Sequence, residues 1–182
     1  MRSGWRGWLQ KCWGSFFVMR GPCSVAQRAR ALRYHASMRL KNFEISGSVQ
    51  FQSDNLYWDI HNSAEFEGLE LLPAYDAVVL KWTVPKWENP WGRPGNNSSG
   101  MKLYFENLLF LKVSPRDSEM PFTEDSCVSH ILKVDPNIQH NDPFMRGRKN
   151  WGPDDSFRLV FQFQSRRTIE IESETVELIP IS

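Results

Sequence analysis

From Phe157 to Phe163 every second residue is large and apolar: Phe157, Leu159, Phe161 and Phe163. That is the spacing of a β-strand with one buried face, and a helix cannot hold four such side chains on one side. The pattern resumes after a short polar break in Ile169 and Ile171. It recurs upstream in Val78, Leu80, Trp82 and Val84, and in Phe43, Ile45, Val49 and Phe51. Stretches rich in proline, glycine and polar residues separate these runs, and no long helix is indicated among them. The chain reads as mainly β: a single antiparallel β-sandwich or partly open barrel, with at most one or two short helices.

The finer pattern sets expectations for each run. Residues 43–51 read as one half-buried strand, with Gly47 marking a bulge. Leu56 to His61 is a short extended piece, and 64–72 is ambiguous. Met101 to Val113 is a long apolar segment that Glu106-Asn107 divides or bulges. Cys127 to Val134 suits a short helix capped by Thr123, or equally a strand through Val128, His130, Leu132 and Val134. Residues 85–100 and 135–155 are loops. A turn at Ser165-Arg166-Arg167 pairs Phe163 with Ile169 and Arg158 with Glu174, the charged pair lying on an exposed face. Val176 to Ile181 forms a last, separate strand.

Charge divides the chain at Met38. Residues 1–37 hold seven of the 22 Lys/Arg and none of the 21 Asp/Glu, which leaves 15 against 21 and a net charge of −6 in residues 38–182. The leader carries an aromatic stripe at helical spacing (Trp5, Trp8, Leu9, Cys12, Trp13, Phe16, Phe17), but its apolar run is too short to span a bilayer. It fits an organelle transit peptide, a membrane-surface helix, or upstream sequence read from a start assigned too early, since Trp, Arg, Gly and Cys share G-rich codons. On the last reading Met38-Arg39-Leu40-Lys41 is an ordinary cytosolic start. Residues 1–37 are thus expected to lie outside the fold, and 38–182 to form one β-rich domain.

Of three cysteines only Cys127 lies in that domain, which excludes a disulfide scaffold or a cysteine zinc site there and fits a reducing, cytoplasmic setting. No P-loop, dinucleotide fingerprint, nucleophile elbow or metalloprotease motif occurs, so no cofactor and no metal are expected. The acidic balance argues against nucleic acid as a partner. The basic run Met145-Arg146-Gly147-Arg148-Lys149-Asn150-Trp151 is largely cancelled by Asp154 and Asp155.

Two sets of side chains carry functional readings. In Trp58-Asp59-Ile60-His61-Asn62, Asp59 and His61 share a face on an extended strand, where a carboxylate can orient an imidazole for acid–base work; His130 or His140 would complete the site in space. Trp87 and Trp91 sit among prolines in a loop with Arg93 close by. Rigid aromatics of this kind build protein- and sugar-binding surfaces, and Trp58 adds a further aromatic candidate. Glu170, Glu172 and Glu174 form a ladder that could meet a basic partner, and is expected rather to keep an exposed sheet face soluble, with Arg158 and Arg167 near it.

The run Trp58-Asp59-Ile60-His61-Asn62-Ser63-Ala64, with the closing Phe157–Phe161 and Ile169–Glu172 hairpin, resembles small β-rich bacterial families of unassigned activity. Some of these are similar to toxin-neutralising immunity proteins. The resemblance carries over no residue role; the acidic surface, the Trp loop and the absence of an enzyme motif point to a cytosolic, protein-binding domain, of which an immunity-like protein is the most concrete version. The function expected is therefore protein recognition. The alternative is a small-ligand or metal-dependent enzyme built on Asp59 and His61. The oligomeric state is not set by these residues.

Overall fold

The computed structural model describes residues 37–53, 56–84, 98–148, 150–152 and 155–182. The leader reading therefore lies outside the described residues up to Ala36, as does most of the Pro85–Gly100 loop. Ten strands are described: β1 (Arg39–Leu40), β2 (Glu44–Ser46), β3 (Gln50–Ser53), β4 (Leu56–Asp59), β5 (Glu65–Leu72), β6 (Ala77–Thr83), β7 (Gly100–Ser114), β8 (Val128–Val134), β9 (Arg158–Phe163) and β10 (Thr168–Ile181). Among the described residues the only helices are three 3-10 turns of three or four residues.

Six strands form a curled antiparallel sheet, a half-barrel, in the order β5-β6-β7-β10-β9-β8. Two three-stranded meanders are thus joined by the long β7–β10 pair. β2, β3 and β4 form a separate small sheet. Its turn reaches the outer edge of β8, where the Ile131 amide donates to the Ser48 carbonyl (2.6 Å). At the opposite edge of the half-barrel the Phe66 amide of β5 donates to the Ser126 carbonyl just before β8 (2.9 Å), so the two ends of the large sheet approach each other. The mainly β, partly open barrel expected from the spacing is what the chain forms.

The alternating runs become the interior. Val78, Leu80 and Trp82 from β6, Leu159, Phe161 and Phe163 from β9, and Phe51 and Trp58 from the small sheet join one core. Phe66 stacks against both Trp82 (5.2 Å) and Phe163 (4.9 Å), linking β5 to β9 across the interior. Met38 is buried in the same core, so the residue at the charge break belongs physically to the domain. Gly100 starts β7 under the Trp82 carbonyl; a Cβ there would lie 2.2 Å from that oxygen, closer than any side chain tolerates.

Several local readings are corrected. Residues 43–51 are two strands, not one: Gly47 takes the left-handed conformation (φ 71°), the chain turns through residues 47–49, and Ile45 pairs with Phe51. The β9–β10 turn lies one residue earlier than expected, with Arg166 in the left-handed region (φ 63°) and Phe163 and Arg167 closing it. This moves the register by two: Ile169 faces Phe161, and Arg158 falls beside Glu172 rather than Glu174. Because the slip is even, every apolar residue keeps its face. Cys127–Val134 resolves as strand β8, with a bulge between Val128 and His130 that brings Val128 and Ile131 into the core. The expected break in β7 is a bulge: Asn107 is left-handed (φ 55°) and its amide donates to Glu174 (2.9 Å). Finally, residues 176–181 are no separate strand; β10 runs unbroken, changing its outer neighbour from β9 to a parallel pairing with β1 at Thr175 and Val176.

Candidate functional site

Asp59 ends β4, and the chain turns immediately. Its Oδ1 accepts the amides of His61 (3.0 Å) and Asn62 (3.0 Å), and Oδ2 accepts the Asn62 side-chain amide (2.9 Å). The carboxylate thus caps the turn, and what it takes from His61 is the backbone N–H, not the ring. Burial alone would raise the Asp59 carboxyl; the donors from Asn62 and His61 overcome this and hold it below the ordinary aspartate value. A carboxylate held low is a weak general base near neutrality.

The His61 ring faces β8. Its Nδ1 lies 2.8 Å from the Val128 carbonyl. A carbonyl only accepts, so Nδ1 carries the proton. Cys127 Sγ sits 3.5 Å from both that nitrogen and the His61 carbonyl. Burial first, then Glu124 and Asp59, push the Cys127 thiol up, away from the thiolate a nucleophile requires. His130 packs its ring against Phe144 (4.9 Å) instead. The two imidazoles share no described partner. Among the described residues no group of three or more His, Cys, Asp or Glu is arranged to hold a metal ion.

Of the aromatic candidates, Trp58 is fully buried in the core opposite Phe51 and presents no binding surface. Trp87, Trp91 and Arg93 lie outside the described residues. The acidic ladder is the largest departure. Glu170 and Glu172 are 4% and 8% exposed, so the face they occupy is covered, not solvated.

What covers it is the segment between β8 and β9. At Asp135 the chain leaves β8; the Asp135 amide donates to the Arg146 carbonyl (2.9 Å), closing the segment into a compact loop. The Asp135 carboxylate, itself 3% exposed, accepts the Asn137 amide (2.8 Å) and the Arg148 guanidinium (2.6 Å). Burial would raise this carboxyl, but the Asn137 amide and Arg148 prevail and lower it. Asp142 caps the 3-10 turn Pro143–Arg146 by accepting the Phe144 amide (3.0 Å).

That turn aims Arg146 onto the sheet. Its two terminal nitrogens donate to the two oxygens of Glu170 (2.8 and 2.9 Å), a bidentate pair. From β9, Arg158 donates to Glu170 (3.2 Å) and Glu172 (2.7 Å) and lies over the Phe110 ring (3.8 Å). Two cations and two anions thus compensate one another. The hydrogen bond to Glu170 holds the Arg146 guanidinium more firmly protonated. Burial would raise the Glu170 carboxyl, and the two arginines reverse it. The loop and Arg158 border a polar cavity of about 560 Å³ that includes His140. With its backbone pinned at Asp135 and Arg146, the loop turns Ile138 (38% exposed), Phe144 (48%) and Met145 (62%) outward.

The basic run at 145–151 could have suggested this site. Arg148 does meet nearby Asp155 (3.1 Å), as the sequence suggests, but it also holds the buried Asp135, and Arg146 meets Glu170. No period in the sequence links those positions.

No protein-family model, no curated protein and no solved structure matches the chain. Its reading rests on its own residues.

Proposed function

We propose that this chain is a protein-recognition β-domain whose contact surface centres on the Asp135–Arg148 loop. One observation carries the reading: the loop is anchored by a buried bidentate ion pair while Ile138, Phe144 and Met145 face solvent. Apolar side chains on a backbone that is already ordered lose little further entropy on binding, which is how compact interfaces gain affinity. Trp87, Trp91 and Arg93 provide a second contact in this reading. Among the described residues no helix is long and apolar enough to cross a membrane. The reading places the domain in the cytoplasm, and the immunity-type resemblance makes a toxin domain the first partner class to test.

The enzymatic alternative has less support. Asp59 is occupied by its turn, and His61 by the Val128 carbonyl.

The test compares proteins retained from native lysate by the full chain and by a Phe144→Asp/Met145→Asp variant. Both side chains are exposed, so the fold should survive. A partner retained by the parent and lost with the variant supports the reading; an identical retained set removes the loop from it.

A further inference from the structure

A second cavity, of about 660 Å³, lies where β1, β2 and β3 approach β8; Asn42, Glu44, Ile45, Gln52 and Lys133 stand in its lining. The β8 bulge puts Lys133 there. After it, Ile131 enters the core, and Lys133, two residues on, shares its side of the strand. Lys133 is half-buried, with Nζ 4.7 Å from the centre of the Phe157 ring. Among the described residues no carboxylate lies within ion-pair contact of it, unlike Lys41 in the same wall, which meets Glu106, and Lys81, which meets Glu67. The nearby Asn42 amide is spent on both polar groups of Leu178, while the Gln52 amide makes no hydrogen bond among the described residues. The cavity wall therefore holds one uncommitted amine and one uncommitted amide.

We propose that Lys133 is a carbonyl-binding lysine, and that small aldehydes enter this cavity and condense with Nζ as reversible imines. The amine nitrogen attacks the carbonyl carbon, a C=N bond replaces C=O, and the oxygen leaves as water with the two amine protons. No oxidant or reductant is required, and hydrolysis restores both partners. The reaction needs the uncharged amine. Burial pulls the Lys133 ammonium below the ordinary lysine value against the charge of Glu44, while the Phe157 face favours the cation. A desolvated lysine with no carboxylate in ion-pair contact is the kind that forms Schiff bases. Glu44, in the same wall, is the carboxylate able to take a proton from the attacking amine and pass it to the departing oxygen.

The test uses the full chain with glycolaldehyde and cyanoborohydride at neutral pH, the reductant fixing any imine as a stable amine. Peptide mass spectrometry then follows each lysine. Lys133 should be modified at least about threefold faster than Lys102 and Lys112, which form no ion pair among the described residues. Its rate should saturate with glycolaldehyde, while those of Lys102 and Lys112 rise linearly. Modification of Lys133 no faster than Lys102 and Lys112, or a rate strictly linear in aldehyde, overturns the proposal.

Discussion

The two meanders of the large sheet make the same kind of charged outer face and put it in opposite surroundings. On β5–β6–β7 the outward charges pair in solvent: Lys81 with Glu67, their side chains 42% and 36% exposed, and Lys41 with Glu106 (3.1 Å). On β8–β9–β10 the outward Glu170 and Glu172 are covered by a loop and met by Arg146 and Arg158, with side-chain exposures of 6%, 11%, 10% and 20%. Alternation along a strand decides which residues face outward. It does not decide whether outward means water. That depends on a segment between strands, whose reach has no period to read.

The sharpest way to break the comparison is to remove one charge from each side. Arg146→Ala leaves Glu170 with only its longer Arg158 contact in a covered site, and should cost about 3–5 kcal/mol in urea unfolding. Replacing both partners with apolar residues, Arg146→Met with Glu170→Leu, should recover most of that loss, because neither buried charge is then left alone. A single variant as mild as a surface truncation would show that the loop does not seal the face.

Acidity probes the same pair. Glu170 is held below the ordinary carboxyl value in the folded chain, so its contribution is present above the unfolded value of ~4.3 and is lost as pH falls through the folded one. Asp135, also lowered, adds a parallel loss. Stability should therefore fall steeply with acid below about pH 4.3, and Glu170→Gln should start lower at neutral pH but lose less on acidification. Parallel curves for parent and variant would mean that Glu170 titrates as it does in the unfolded chain.

Much of the fold was legible because the information was local. The core face of β6 and of β9 follows directly from residues 78–84 and 157–163, and a two-residue error in the β9–β10 register changed no buried position. What failed depended on backbone conformation or on distant coverage. Gly47 turns a continuous alternation into a hairpin, since either side of it suits a strand. Trp58 looks like a surface aromatic beside Asp59 and His61, yet it belongs to the core because the small sheet folds inward. The candidate site was the least legible part. Arg146 meets Glu170 across 24 residues, and only the turn capped by Asp142 brings them together.

The smallest effect belongs to the open half. Lys81 and Glu67 sit across from each other at the β5–β6 bulge, where water screens both and two long side chains must be ordered to meet. Lys81→Ala should cost only ~0–1 kcal/mol, and what it does cost should shrink as salt rises through the range where the screening length falls below the strand spacing. Arg146→Ala should keep nearly its whole effect in the same salt, since ions do not reach a covered pair. If the Lys81 effect survives high salt, that bulge is drier than its exposure implies, and the contrast between the two halves is one of degree.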